Sequence, residues 1–166
     1  VGYRNPVDFT YNKDGELFVY DSDLEFDKGQ PWYRPTRVTH HISGGDYGWS
    51  HGNGKFPWYY IDTMGPVVGI GSGSPVGTTS GEGAKFPARY QDGLFICDWS
   101  YGNVYFVELT PQGSSYTGTA ELMASGRPFA ASGITVNKAD GSMLVQTTGS
   151  ELYRITETGT GAITPT

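Results

Sequence analysis

Short apolar runs recur along this chain, and Gly, Asn, Asp and Pro separate them. Runs that are rich in aromatic and β-branched residues and bounded by such turn residues predict β-strands. The helical spacing of apolar residues at i, i+3, i+4 and i+7 is scarce. We therefore predict strands at VDFTYN (7–12), ELFVYD (16–21), TRVTHHI (36–42), PVVGI (66–70), GLFICDW (93–99), NVYFVELT (103–110), AELMAS (120–125), GITVNK (133–138), SMLVQTT (142–148) and SELYRIT (150–156).

A loose internal repeat groups these strands into units. NKDGELFVYDSD (12–23) compares with NKADGSMLVQTTG (137–149), and YQDGLFICDWSYGNVYFVEL (90–109) is a third copy. Repeated units of three or four strands are typical of propeller blades. We predict an all-β portion of a β-propeller, with two fairly complete blades and part of a third. Because a closed propeller needs about four blades or more, we expect other chains or segments to complete it.

The domain boundaries follow from the same pattern. Residues 1–156 form the predicted partial propeller, and the small, polar residues 157–166 are predicted to be a linker or a disordered tail. The glycine-rich stretch 71–87 is expected to be a loop with one short strand at most. It lacks the GK[ST] ending of a phosphate-binding loop, and we expect it to cross the ligand face of the propeller.

Composition and charge narrow the function classes. The net charge of −6 argues against nucleic acid as a partner, since such proteins need a basic surface. No apolar stretch reaches the length of a membrane span, and no signal-peptide pattern opens the chain. The single cysteine, Cys97, lies in an apolar run and is expected to be a buried structural thiol.

An acidic segment directly follows the second predicted strand. If it is extended, its four carboxylates share one side, as alternate residues do; they are Asp21, Asp23, Glu25 and Asp27. Calcium binds six to eight oxygen ligands, so these acids form a candidate calcium site, although the segment does not match the EF-hand pattern. Two alternatives remain open: Arg34 and Arg37 neutralise the acids, or water solvates them.

Histidines and tryptophans are the other candidate functional side chains. His40 and His41 are adjacent and should face opposite sides of a strand, while His51 lies further on. A neutral imidazole can serve as a catalytic base, but nothing in the sequence pairs these residues. The four tryptophans could stack on a sugar or fill a propeller core; they are Trp32, Trp49, Trp58 and Trp99.

Several of these motifs together resemble one enzyme family. GYRNPVDFTYNKDGELFVYDSD (2–23), followed by ISGGDYGW (42–49), resembles the soluble quinoprotein glucose/sorbosone dehydrogenases, the aldose sugar dehydrogenase family. GEGAKFPARYQDGLFICDWSYGNVYFVELTPQG (81–113) and SGRPFAASGITVNKADGSMLV (125–145) resemble later blades of that family. NPVDF, the acidic loop and WYRPTR (32–37) are closest to the propeller of planctomycete-type proteins described as membrane-bound dehydrogenases. The resemblance covers residues 2–156.

The resemblance implies a six-bladed propeller that binds pyrroloquinoline quinone (PQQ) with calcium. It places four residues at the quinone: Arg4, Asn5, Lys85 and Arg127. It adds the backbone carbonyl of Tyr47 to the calcium ligands. From the residues alone, Arg4 could instead cap strand carbonyls, Asn5 could make a turn before Pro6, and Lys85 could be a solvated loop residue.

The chain also departs from the family pattern. The general-base histidine of the family lies upstream of this stretch, so the catalytic residues stay unknown. WYRPTRV (32–38) replaces a segment that carries one expected calcium ligand, and Arg127 stands where the family has two arginines.

Two functions are therefore expected for such a chain. The first is part of an exported, periplasmic or secreted dehydrogenase that oxidises a sugar or alcohol by hydride transfer to PQQ. The second is a non-catalytic, calcium-braced propeller module that binds a carbohydrate or a protein such as a cytochrome c.

Overall fold

The structure is a computed structural model that describes residues 1–23, 29, 33–50 and 59–159, together with the backbone of 54–55. Within this part, one short helix, α1 (Ala88–Gln91), accompanies the strands. The strands are β1 (Phe9–Tyr11), β2 (Leu17–Asp21), β3 (Thr36–His41), β4 (Trp49–Ser50), β5 (Gly54–Lys55), β6 (Val68–Gly71), β7 (Pro75–Ser80), β8 (Leu94–Asp98), β9 (Asn103–Gln112), β10 (Ser115–Ser125), β11 (Ala131–Val136), β12 (Met143–Thr147) and β13 (Leu152–Ile155).

Three antiparallel sheets follow one another along the chain, and each is one propeller blade. Blade I has the strand order β1-β2-β3-β6, blade II has β7-β8-β9-β10, and blade III has β11-β12-β13. β4 and β5 form a separate two-stranded hairpin. Short turns suffice between most neighbours because the pairing is antiparallel. The prediction of an all-β propeller portion with two full blades and part of a third is confirmed.

The second strand of blade II is buried between blades I and III, and the second strands of blades I and III each pack against blade II. LFVYD (β2), LFICD (β8) and MLVQT (β12) occupy equivalent places. The first and third side chains of β8 and β12 face the preceding blade, and the second and fourth side chains of β2 and β8 face the following one. The two cores therefore join Phe18 and Tyr20 to Leu94 and Ile96, and Phe95 and Cys97 to Met143 and Val145. Burial on both faces explains why LFICD is apolar up to its last residue.

Glycine allows the inner strands of blades II and III to approach closely. A Cβ at Gly77 in β7 would lie 2.7 Å from the Cα of Gly133 in β11 and 2.9 Å from the backbone nitrogen of Ile134. The glycine-rich stretch 71–87 contains one short strand, β7, with loop residues before and after it, as predicted; β7 is the inner strand of blade II. Glycine weakens strand propensity in isolation, and its role here depends on a neighbour that is distant in sequence.

The two ends of the blades carry different loops. We call the end at which β2, β8 and β12 finish the upper end, and the opposite end the lower end. The turns at 12–16, the loop 81–93 and the turn 137–142 lie at the lower end, where the backbone N–H of Lys85 donates to the carbonyl of Gly141 (2.8 Å). Loops that enter the inner strands lie at the upper end, so the upper end collects residues from all three blades.

The remaining sequence predictions concern the length of β10, the burial of Cys97, membrane-spanning segments and the tail. β10 begins at Ser115, earlier than the predicted AELMAS strand, because it pairs along nearly all of β9. Cys97 is fully buried, as predicted, and burial raises the pKa of its thiol to about 12. In the described ranges, no helix is long and apolar enough to cross a membrane. Most of the predicted tail, 160–166, lies outside the described residues.

Candidate functional site

A buried carboxylate ends the second strand of blade I. Asp21 is fully buried, and its Oδ1 accepts hydrogen bonds from the backbone N–H groups of Arg4 (3.1 Å) and Asn5 (3.0 Å). Its Oδ2 lies 3.3 Å from Nη2 of Arg37, which also donates to the carbonyl of Gly2 (3.3 Å). A carboxylate with several donors can stay charged away from water. Asp21 thereby ties the entering segment to the end of β2.

Blade II repeats this arrangement with Asp98, which ends β8. Its Oδ1 accepts the backbone N–H groups of Ser74 (2.8 Å) and Ser100 (3.0 Å). Burial raises the pKa of the Asp98 carboxyl, and these backbone donors oppose the shift. In both blades one donor is the residue just before a proline, Asn5 or Ser74. We call Asp21 and Asp98, with their backbone donors, the aspartate clamps.

Of the predicted acids beyond Asp21, the structure describes Asp23. Asp23 is buried and accepts a 2.6 Å hydrogen bond from the Tyr33 hydroxyl; burial, and then this bond, raise the pKa of Tyr33. Glu25 and Asp27 lie outside the described residues. In the part of the chain that is described, no three His, Cys, Asp or Glu side chains are grouped as metal ligands. The calcium set therefore stays a prediction.

One arginine, Arg37, contacts the acidic segment at Asp21. Arg37 is 5% exposed and pairs with Asp21. The pKa of Arg34 is lowered by burial and by the neighbouring charge of Arg37. Nη1 of Arg37 is buried, with no hydrogen-bond partner among the residues described. One acid of the predicted calcium set thus has an arginine partner.

Tyr47, the other predicted calcium ligand, is fully buried beside β3. Its hydroxyl donates to the carbonyl of His40 (2.9 Å) and accepts the N–H of Ile42 (2.8 Å). Its ring stacks on that of Tyr3, with 4.3 Å between the centroids. These contacts give the Tyr47 side chain a packing role in blade I. The role of the Tyr47 carbonyl toward calcium stays a prediction.

The predicted quinone residues do not all lie together. Arg4 and Asn5 enter blade I at the upper end, and their backbone N–H groups bond Asp21. Arg127 enters blade III at the same end and is exposed. Lys85 is exposed at the lower end, in the β7–β8 connection. The structure therefore groups Arg4, Asn5 and Arg127 at one end and separates Lys85 from them.

A cavity of about 680 Å³ opens at the upper end between blades II and III. Trp99, Tyr101, Arg127 and Phe129 are among the residues that line it. Trp99 and Tyr101 follow Asp98 in the β8–β9 loop, so the blade II clamp positions them. The indole N–H of Trp99 donates to the hydroxyl of Thr148 in blade III (3.4 Å). Exposed aromatic faces beside a guanidinium suit a flat or ring-shaped polar ligand with negative charge.

Sequence reasoning missed Asp98 and Tyr101 as residues of this end. The signal was present, since LFVYD and LFICD share a terminal aspartate. The repeat predicted strands, and the aspartate was weighed only in the first copy. The hydroxyl of Tyr101 lies 3.1 Å from that of Ser72, in the segment that enters blade II.

The two described histidines face opposite sides of β3, as predicted. His40 lies between blades I and II, with Nε2 2.9 Å from Glu16 and Nδ1 3.1 Å from the hydroxyl of Ser115. His41 stacks on Tyr47 and lies 3.2 Å from the Tyr3 hydroxyl. His51 lies outside the described residues. Neither described histidine lines the upper cavity.

Comparisons with known proteins support the fold. No protein-family model matches the chain, and no curated protein matches it in sequence. Three similar solved structures are a glucose-dehydrogenase-type oxidoreductase from Thermus thermophilus (19% identity, TM-score 0.69), a PQQ-bound aldose sugar dehydrogenase from Streptomyces coelicolor (11%, 0.65) and a soluble aldose sugar dehydrogenase from Escherichia coli (17%, 0.65).

The matches cover most of this chain and less than half of each solved one. They span 89%, 90% and 92% of this chain and 40%, 39% and 44% of the respective structures. At such low identity the likeness is one of fold. The chain is a portion of a six-bladed β-propeller, with the blade arrangement found in these sugar dehydrogenases.

We predict that the Asp21–Arg37 pair is strongly coupled in stability. Asp21→Ala should lower the free energy of unfolding by about 3–5 kcal/mol, because it leaves a buried guanidinium and two backbone donors without their acceptor. The double variant Asp21→Ala/Arg37→Met should cost less than the sum of the single variants. Urea unfolding of all three variants measures the coupling.

The matched control is the exposed pair of Arg154 and Asp140, whose charged atoms lie 3.2 Å apart. Arg154→Ala should cost no more than about 1 kcal/mol, as is usual for surface ion pairs. Additive effects of Asp21→Ala and Arg37→Met would contradict the assignment of this pair.

Proposed function

We propose that this chain is part of a quinoprotein dehydrogenase propeller that oxidises a sugar or alcohol with PQQ. The observation that carries the proposal is the upper cavity, where Arg127 lies beside the aromatic side chains of Trp99 and Tyr101. It is supported by the fold shared with a PQQ-bound aldose sugar dehydrogenase. The motif resemblance to the planctomycete-type propellers points to the same enzyme group.

The side chains at the upper end fit PQQ as a ligand. PQQ is a flat ring system with three carboxylates and an ortho-quinone. A guanidinium such as that of Arg127 can pair with a carboxylate or a quinone oxygen through two donors, and aromatic faces can stack on the rings. Arg4 and Asn5, at the same end, would supply further polar contacts. Our proposal leaves Lys85 out of this set, because Lys85 lies at the lower end, where its backbone N–H donates to the carbonyl of Gly141.

In this proposal the chain's own residues bind and orient the ligands. Arg127 holds the anionic cofactor, and Trp99 and Tyr101 shield one wall of the cavity from water. Bound PQQ supplies the oxidant, since it accepts hydride from the carbon that bears a hydroxyl. The base that takes the hydroxyl proton is expected from outside this stretch, as the family resemblance implies.

Calcium belongs to the proposal as the cation of the acidic segment. The proposed ligands come from Asp23, Glu25, Asp27 and the carbonyl of Tyr47. Asp21 has a smaller part than its sequence suggested, because it already accepts bonds from Arg37 and two backbone N–H groups. We further propose a periplasmic or secreted location and electron transfer to a cytochrome c, both from the family resemblance.

The second candidate function is a non-catalytic propeller module that binds a carbohydrate or a protein. The observation that favours it is the separation of Lys85 from the other predicted quinone residues. Among the predicted quinone residues, Arg127 is therefore the one that lines the described upper cavity. Such a module would use the same aromatic wall for sugar stacking.

We predict that PQQ binds at the upper end and that binding depends on Arg127. Isothermal titration of the full chain in calcium should give saturable binding. Arg127→Ala should weaken it about tenfold or more, because a charge-assisted hydrogen bond contributes about 1.5–3 kcal/mol. Lys85→Ala is the matched control and should change nothing, because Lys85 lies at the other end.

Two results would count against this assignment. Equal losses for Arg127→Ala and Lys85→Ala would contradict the geometry. Absence of PQQ binding, with retained binding of a sugar, would favour the non-catalytic module.

We predict that calcium stabilises the chain through Asp23. Calcium at about 100 times its dissociation constant should add about 2.7 kcal/mol, a rise in melting temperature of roughly 5–10 °C over the same protein in EGTA. Asp23→Asn should abolish the rise. Asp92→Asn is the control, since Asp92 is exposed at the lower end and pairs with Lys13. Equal melting temperatures with calcium and with EGTA would remove calcium from the proposal.

A further inference from the structure

Hydrogen bonds join a serine, a histidine and a glutamate at the lower end, between blades I and II. Nδ1 of His40 lies 3.1 Å from the hydroxyl of Ser115, and Nε2 lies 2.9 Å from Oε2 of Glu16. Glu16 directly precedes β2, His40 lies in β3, and Ser115 begins β10. A hydroxyl bonded to a base, which a third group orients in turn, is the arrangement that activates a nucleophilic serine.

The glutamate fixes the direction of both hydrogen bonds. An ionised carboxylate only accepts hydrogen bonds, so Nε2 of His40 carries the hydrogen in the contact with Glu16. In a neutral imidazole the other nitrogen, Nδ1, is then an acceptor. The hydroxyl of Ser115 therefore donates to Nδ1, as it must if His40 is to remove its proton.

Packing holds the imidazole in place while the serine stays accessible. His40 is 5% exposed, its ring stacks on Phe18, and the ring of Tyr116 meets it edge-on, with 5.3 Å between the centroids in both contacts. Because the ring is confined, its two nitrogens keep their separate partners. Ser115 is partly exposed, so a solute can reach its hydroxyl.

The turn before Ser115 adds backbone donors. Ser115 pairs with Gln112 at the end of the β9–β10 ladder, so Gly113 and Ser114 form a two-residue turn. Gly113 has a φ of 61°, and hairpin turns of this length favour such a positive value at their first central position. The N–H groups of Gly113 and Ser114 lie outside the strand pairing. Backbone N–H groups close to a nucleophile can stabilise an oxyanion.

We propose that Ser115 is a nucleophile toward carboxylic esters, with His40 as its base and Glu16 as the positioning residue for His40. Oγ of Ser115 bonds the ester carbonyl carbon, and its proton moves to Nδ1 of His40. The bond from that carbon to the alkoxy oxygen then breaks, and His40 returns the proton to the departing oxygen, which leaves as an alcohol.

Water completes the reaction by the same route. His40 takes a proton from water, the water oxygen bonds the acyl carbon, and the bond from that carbon to Oγ of Ser115 breaks. The proton returns to Oγ, and a carboxylic acid is released. This hydrolysis involves no change of oxidation state, so the proposal stands independently of the dehydrogenase function.

The same residues also hold blades I and II together, so the tests must separate reactivity from stability. The first test is covalent labelling of the full chain with phenylmethylsulfonyl fluoride, from which a serine oxygen displaces fluoride. Peptide mass spectrometry should find the sulfonyl group on Ser115 at about ten times the level on Ser114 or more, because a positioned base speeds such steps about 100-fold or more. Ser114 is the matched internal control, since it is exposed in the same turn.

The second test is hydrolysis of p-nitrophenyl acetate by the full chain. Ser115→Ala should remove the saturable turnover, and Ser114→Ala should keep it. Glu16→Gln should lower kcat about tenfold or more with little change in KM, because an amide stabilises the imidazolium of His40 less than a carboxylate does. The melting temperature of each variant reports whether the fold is retained.

Three results would overturn the proposal. One is equal labelling of Ser114 and Ser115, and another is equal turnover by the parent chain and by Ser115→Ala. The third is a loss of turnover in Glu16→Gln that occurs only together with a fall in melting temperature. Each of these would leave the contact of Glu16, His40 and Ser115 as a structural link between the two blades.

Discussion

The arrangement of the upper end depends on one repeated interaction, the bond between a buried aspartate and the backbone of the segment that enters the same blade. A proline has no N–H to donate, so the amide just before it becomes the donor. Asn5 precedes Pro6 and bonds Asp21 at 3.0 Å, and Ser74 precedes Pro75 and bonds Asp98 at 2.8 Å. Each clamp sets where an inner strand begins relative to the middle strand of its blade.

The clamps connect the fold to the candidate site. Burying a charged carboxylate is costly unless donors surround it, so each aspartate holds its loop in one arrangement. In blade II this loop carries Trp99 and Tyr101 into the upper cavity. In blade I it carries Arg4 and Asn5 to the same end. Blade III has Thr147 in the equivalent place, and its hydroxyl accepts the N–H of Glu151 (3.3 Å).

Much of the fold was predictable because local sequence patterns indicate the strands of the blades. LFVYD and LFICD are apolar runs between turn residues, and their repeat predicted propeller blades. The reason for the glycine in β7 was not predictable in this way, since Gly77 approaches Gly133, which is far along the chain. Strand length in β10 likewise depended on its pairing partner.

The candidate site was harder to predict than the fold. The acids are close together in the sequence, but the burial of Asp21 against Arg37 depends on how β2 pairs with β3. Lys85 resembled a quinone residue by its motif, and only the alternation of upper and lower loops separates it from Arg127. Asp98 could have been found by comparing the ends of the two repeated strands.

Amide hydrogen exchange of the aspartate clamps tests this account most directly. We expect the N–H groups of Asn5 and Ser74 to exchange as slowly as those of the central strands, although both residues lie outside regular strands. Asp21→Ala should release the amide of Asn5 while that of Ser74 stays protected, and Asp98→Ala should do the reverse. Fast exchange of both amides in the unsubstituted chain would contradict the central role of the clamps.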